Sequence, residues 1–317
     1  MYVVMVFVFL VGFCVPISSA KEVEGLPEKR DNVTSLIVVD PTLTIEKTED
    51  GRILPVVDAK ELTITQLDKV LQNMNVSNDL LSKMPLELKQ KVISRGGVVV
   101  PITTKKNEYF RTTDGSRLLV TEENKEEIEK IKQQQVAKLN RTNNETTITP
   151  FGTGSAGSGS FTGFSMLQYV GSTSTEYEYD YTEWFFYDDD VQQKYTDKIA
   201  HAWQSHTTSV GREASASYRV LDYWSSWTPP TSHNTSVTGS SASISIPNTL
   251  FSEMYGYFGE TVRIPKTNEG LTGKWVVKYA HPWTLLSPSI AIGPVTINFS
   301  AFLGDEWEWE NTFTIGG

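Results

Sequence analysis

Past Pro150 the chain keeps alternating large apolar side chains with polar or charged ones. The runs TEYEYDYTEWFFYDDD (175–190), SASISI (241–246), KWVVKY (274–279) and DEWEWENTFTI (305–315) all show it. A period of two places successive side chains on opposite faces of an extended strand, whereas a helix needs a period near 3.6. Repeated over short segments with turn residues between them, it points to a β-sandwich or jelly-roll. YRVLDYWSSW, TVRI and VTINFSAFL are further strand candidates. One helix is expected near 190–206. Val191, Tyr195, Ile199, Ala202 and Trp203 fall on one helical side, and Asp188, Asp189 and Asp190 stand where carboxylates cap free amides.

The first half has a different pattern. Thr63 to Met74 carries Ile64, Leu67, Val70, Leu71 and Met74 at helical spacing. Asn78 is placed to cap a short turn, Pro85 to begin the helix LELKQKVIS, and Gly96-Gly97 to stop it. Thr121 opens TEENKEEIEKIKQQQVAKLN, a charged helix with a thin apolar stripe at Ile128, Ile131 and Val136, too short in heptads for a coiled coil. TIEKTEDGRILPVV (44–57) and YFRTTDGSRLLVT (109–121) each contain an Asp-Gly pair suited to a hairpin turn with positive φ. The expected class is therefore an α+β N-terminal region followed by a mainly β C-terminal domain.

Composition marks the same boundary. All eight tryptophans follow Pro150, and so do 17 of the 38 acidic residues but only 8 of the 28 basic ones. The join NRTNNETTITPFGTGSAGSGSF reads as a flexible Gly/Ser linker. It lacks the strand, helix and Lys-Ser/Thr pair of a phosphate loop, and the sharp strand-to-helix turn of a serine-nucleophile elbow. The expected division is a signal peptide over 1–20, an α+β domain over 21–139, a linker over 140–160 and a β-sandwich domain over 161–317.

MYVVMVFVFLVGFCVPISSA is an apolar run followed by Pro16, with Ser18 and Ala20 three positions and one position before a cut. Cleavage is expected after Ala20; no Lys or Arg precedes the run, which leaves a start lying upstream or retention as an anchor as the alternatives. The single cysteine is Cys14 in that segment, so the cleaved chain has neither disulfides nor thiolate chemistry. Export without disulfides fits a bacterial exterior. Beyond the leader no apolar run is long enough to span a bilayer. The net charge of −10 and the lack of a basic stripe exclude nucleic acid as the main partner. The segment LLSKMPLELKQKVISRGGVVV (80–100), with the hairpin and charged helix after it, resembles the N-terminal region of uncharacterised exported proteins of Gram-positive bacteria. The resemblance covers residues 61–135 and implies export; it carries no catalytic motif.

Strand parity assigns Glu176, Glu178 and Asp180 to one face and Tyr177, Tyr179 and Tyr181 to the other. Near the C-terminus Glu306, Glu308 and Glu310 oppose Trp307 and Trp309. If both strands share a sheet, opposed carboxylates repel. KWVVKY is then expected beside an acidic strand, with Lys274 and Lys278 on the acidic side, each cross-strand pair worth roughly 0.2–1 kcal/mol. A solvated sheet face is the plain reading of these rows. A Ca²⁺ or glycan site built from Glu176, Glu178, Asp180, Glu306, Glu308 and Glu310 is the sharper one, since hard cations take several converging oxygens. A glycan hydrolase needs two carboxyls about 5–10 Å apart across a cleft, and Glu183 and Glu306 are the candidates. Trp224, Trp227 and Trp283 lie near turn signals and are the candidates for stacking on a ligand, ahead of Trp275, Trp307 and Trp309. His201 and His206 are five apart, about 140° on a helix, without the spacing or the Glu of a zinc helix; His233 and His281 are read as capping or surface residues.

The expected function is a secreted protein that binds an extracellular glycan or a protein through its C-terminal domain. A carboxylate-dependent glycan hydrolase is one rival. A toxin or bacteriocin released from a pro-region over 21–150 is the other.

Overall fold

The computed structural model describes residues 33–142, 161–191, 193–233 and 238–316. The leader with Cys14 and most of the Gly/Ser linker lie outside the described residues. From the first half come β1 (Val33–Asp40), β2 (Leu43–Thr48), α1 (Ile64–Asn73), α2 (Asn78–Lys83), α3 (Leu86–Arg95), β3 (Val98–Val100), β4 (Thr103–Arg111), β5 (Arg117–Val120) and α4 (Lys125–Thr142). The second half adds β6 (Phe161–Ser172), β7 (Glu176–Tyr187), β8 (Thr196–Trp203), β9 (Thr208–Val220), β10 (Tyr223–Trp227), β11 (Thr231–His233) and β12 (Gly239–Ser245). It continues with β13 (Glu253–Pro265), β14 (Thr272–Pro282), β15 (Ile290–Gly293), β16 (Thr296–Phe299) and β17 (Gly304–Thr314).

These form an antiparallel sandwich, as the alternation predicts. One sheet has six strands in the order β10-β9-β13-β7-β6-β3, the other seven in the order β11-β12-β8-β14-β17-β4-β5. Tyr177, Tyr179, Tyr181, Phe185 and Tyr187 point from β7 into the space between the sheets. They meet Trp203, Trp275, Trp309 and Phe313 from the facing sheet, and Tyr181 stacks on Trp275 with centroids 4.5 Å apart. Gly163 of β6 admits the Trp309 ring, since a Cβ there would stand 2.1 Å from Trp309 Cζ2.

The outer face of the six-stranded sheet is covered by α1–α3. Met84, Leu88 and Val92 pack with Met166, Trp184 and Tyr257, and Trp184 Nε1 donates to the Lys83 carbonyl at 3.0 Å. Thr63 closes a capping box with Gln66, Ser77 caps α2 one residue before the expected Asn78, and α3 ends at Gly96 with φ 67°. The β15–β16 hairpin covers part of the other outer face, with Ile297 and Phe299 against Ala200, Ala202 and Val276. The charged helix α4 buries Ile128 against Phe110, Trp283 and Leu303.

The two Asp-Gly segments form the same turn. Gly51 and Gly115 both have φ 87°. Thr48 and Thr112 give their hydroxyls to Asp50 and Asp114 and their amides to the carbonyls of Arg52 and Ser116. The Thr112 hydroxyl and the Ser116 amide pull the Asp114 carboxyl down to about 2.

Two expectations change. The stretch 190–206 is not a helix but contains β8, a central strand between β12 and β14. Ile199 and Trp203 face the inter-sheet core, while Ala200 and Ala202 lie under the hairpin. With both faces buried, alternation disappears and an apolar run mimics a helix. Asp190 binds Lys194 Nζ at 2.7 Å and the Phe251 amide at 3.3 Å instead of capping a helix. The first half also does not stand apart from the sandwich. Its β3 pairs with β6 in one sheet, and β4 and β5 extend the other beside β17. Residues 33 onward are one compact unit, because one edge of each sheet is completed from the first half.

Candidate functional site

The carboxylates singled out in the sequence are held in ion pairs. Glu178 accepts from Arg95 at 2.6 Å and Arg263 at 2.8 Å, and Asp180 from Arg95 at 3.0 Å and from the Thr261 hydroxyl at 2.7 Å. These contacts clasp α3 to the sheet over a cleft of about 420 Å³, whose wall also carries Lys91, Arg212, Glu213 and Glu260. Lys91 pairs with Glu213 and Arg212 with Glu260, so each of these charges has an opposite neighbour.

On the other sheet β14 does lie beside β17, with Lys278 opposite Glu308. Lys278 Nζ is 2.7 Å from Glu308 and Lys274 Nζ 3.0 Å from Glu310, as the parity argument requires. Glu306 is fully buried between Arg111, Arg117 and Lys278. Burial raises the Glu308 carboxyl, but Lys278 and Arg117 outweigh it and hold the group below its usual range.

The two acidic rows belong to different sheets and point away from each other, so their oxygens do not converge on one ion. Among the described residues no group of three or more His, Cys, Asp or Glu side chains is arranged to hold a metal. The hydrolase pair is also separated. Glu183 faces the inter-sheet core, where Trp275 Nε1 donates to it at 2.6 Å and His201 Nε2 contacts it. Glu306 projects from the opposite side of the facing sheet. A sheet therefore stands between them, and neither opens on a common cleft.

His201 and His281 are fully buried, not surface residues. His281 Nδ1 is 2.8 Å from Asp197 Oδ1, and Asp197 Oδ2 also accepts from Tyr187 at 3.0 Å and Tyr279 at 2.6 Å. Burial pulls His281 down, but the charge and hydrogen bond of Asp197 outweigh it and hold the ring above its ordinary value. No motif marks these pairs; they arise where neighbouring strands bring a His and a carboxylate together.

The tryptophan candidates separate. Trp283 is 1% exposed and donates from Nε1 to Asp305 Oδ2 at 3.1 Å. Its turn signal, Pro282, is still paired in β14 with Gly304, and α4 packs over the ring. Trp227 is half-buried, edge-on to Tyr218 at 5.9 Å. Trp224 is 48% exposed on β10, the outer edge of the six-stranded sheet.

Trp224 begins an aromatic strip. Its ring lies 5.1 Å from Tyr255 of β13, which lies 6.1 Å from Phe186 of β7. All three lie on the outer face, Phe186 at the rim of the helix-covered cluster and Trp224 farthest from it, and Arg219 stands 5.9 Å from the Trp224 ring and 2.8 Å from Glu253. Tyr223, next in sequence and 79% exposed, shares the other face of β10 with Trp227 and is not part of the strip. Two residues along β13, Tyr257 floors a second cleft of about 440 Å³ bounded by Asp58, Lys60, Glu87, Gln90 and Ser94. Burial raises the Tyr255 hydroxyl, as do the charges of Glu87 and Glu253, so it remains a neutral donor. The strip offers ring faces with polar groups at the rim, a chemistry that takes a flat molecule having one apolar and one hydroxylated side. Tyr255 and Phe186 are not legible as site residues in the sequence, because only the strand register places them beside Trp224.

No family model matches this chain, and no curated protein matches it. Among solved structures it is similar to the collagen-binding domain of the Erysipelothrix rhusiopathiae surface protein RspB. The TM-score is 0.25 and the identity 7%, over 47% of this chain and 56% of that one.

Proposed function

We propose that this is a secreted extracellular binding protein, and that the strip Trp224–Tyr255–Phe186 recognises an envelope or matrix glycan. The leader sequence over residues 1–20 supports export. The observation that carries the binding reading is the ring row that starts at the exposed Trp224 on the edge strand and runs inward over half-buried Tyr255 and Phe186, two residues along β13 from the Tyr257 floor of the polar cleft. Sugar rings present C–H faces that stack on Trp and Tyr, and hydroxyls that pair with rim groups such as Glu87, Gln90 and Arg219. The candidate acids argue for binding over turnover: Glu183 is 2% exposed and Glu306 0%, each held by its partners.

Glycan arrays and cell-wall pulldown with the full chain test this reading. Trp224→Ala and Tyr255→Ala are expected to weaken binding at least tenfold, a loss of about 1.4 kcal/mol, with the melting temperature little changed for Trp224→Ala. Undiminished binding in both variants, or capture of a polypeptide in place of a glycan, overturns it.

A further inference from the structure

Lys132 and Asp305 form an unusual buried pair. Lys132 rises from α4 with its side chain 6% exposed, and Asp305 on β17 has its side chain 1% exposed. Nζ lies 3.0 Å from Oδ1, yet Oδ1 has no partner at hydrogen-bond angles. The other carboxyl oxygen is held by the Trp283 indole N–H at 3.1 Å. The rings of Phe110 and Trp283 stand 5.6 and 6.0 Å from Nζ and exclude water. A second carboxylate, Glu108 of β4, sits diagonally to Asp305, since Phe110 pairs with Asp305 and Glu108 with Trp307. Burial and then the nearby Asp305 charge raise Glu108, which suits it to exchange protons. Glu129 completes the surroundings at 3.3 Å from Nζ.

We propose that Lys132 and Asp305 condense spontaneously into an intramolecular amide, with Glu108 relaying the proton. A buried ion pair bears a desolvation penalty that a neutral amide does not, and a dry site favours release of water. Contact at this distance also removes most of the entropic barrier to the reaction. One proton first passes from Nζ to the Asp305 carboxylate, giving a neutral amine and a carboxylic acid. The amine lone pair attacks Cγ and forms the N–C bond, and the indole N–H stabilises the charge that develops on Oδ2. Glu108 accepts a proton from the nitrogen and returns it to the departing hydroxyl. One C–O bond breaks and one water leaves; nothing is oxidised or reduced. The bond would tie α4 to the last strand, and so the first half of the chain to the second, in a protein with no cysteine beyond Cys14.

Peptide mapping of the full-length protein by mass spectrometry tests the proposal. A branched peptide joining Lys132 to Asp305, lighter by one water than its two linear parts, is expected in the folded protein and absent from Lys132→Arg. In Glu108→Gln, with folding checked by circular dichroism, the branched peptide is expected to fall at least tenfold. Complete recovery of the linear peptides containing Lys132 and Asp305 from the unsubstituted protein overturns the proposal. An undiminished branched peptide in Glu108→Gln removes Glu108 from the reaction.

Discussion

At the scale of single residues, the sandwich hides charge that the sequence leaves looking exposed. His281 is the sharpest example, fully buried against Asp197, Tyr187 and Tyr279. Its folded value is raised above the ordinary imidazole value of about 6.5. The pair's contribution to stability is therefore fully present below about pH 6.5 and is lost as pH rises through the folded value. The melting temperature should fall over that interval in the unsubstituted protein, and the fall should be smaller in His281→Gln. Parallel pH profiles of the two proteins would disprove this role. The acidic rows teach a related point: parity correctly separates carboxylates from rings, but it does not report that arginines from α3, β4 and β5 come to meet them.

At the scale of elements, strands with one solvated or charged face were legible, and strands buried on both faces were not. β7, β12, β14 and β17 were found from their alternation, and α1 and α3 from their spacing and stop signals. β8 carries a helix-like pattern because its two faces meet two different cores. The α4 stripe was visible, but its Lys132 was not legible as a buried residue. Close approach between elements is equally silent in sequence. Gly163 is an unremarkable glycine there, yet it makes room for Trp309 across the sandwich. Gly163→Ala should force that ring to shift and destabilise the fold by about 1–3 kcal/mol. Urea unfolding measures it, and an unchanged midpoint would contradict the packing described.

At the scale of the whole molecule, the change of composition at Pro150 is real but does not divide the fold. β3 supplies one edge of the six-stranded sheet, while β4 and β5 extend the other. Removing the first half would uncover β6, β17 and the face now covered by α1–α3. A pro-region that departs after cleavage would have to leave those hydrogen-bonding edges open to aggregation. If a protease site is placed within 152–160 and cut, the two parts should co-elute as one species in native size exclusion. Separation into two folded species would favour the released-toxin reading instead.

The sandwich class, the inward and outward faces of the amphipathic strands, the Asp-Gly turns and the helical signals of the first half can all be read from the residues in order. Those properties are local, set by side-chain period and by backbone preferences a few residues long. Which strands share a sheet, where the first half inserts, which carboxylates are locked, and the meeting of Trp224, Tyr255 and Phe186 emerge with the folded chain alone. Those outcomes depend on register between strands far apart in the chain, and a one-residue slip in register would turn every one of their side chains to the opposite face.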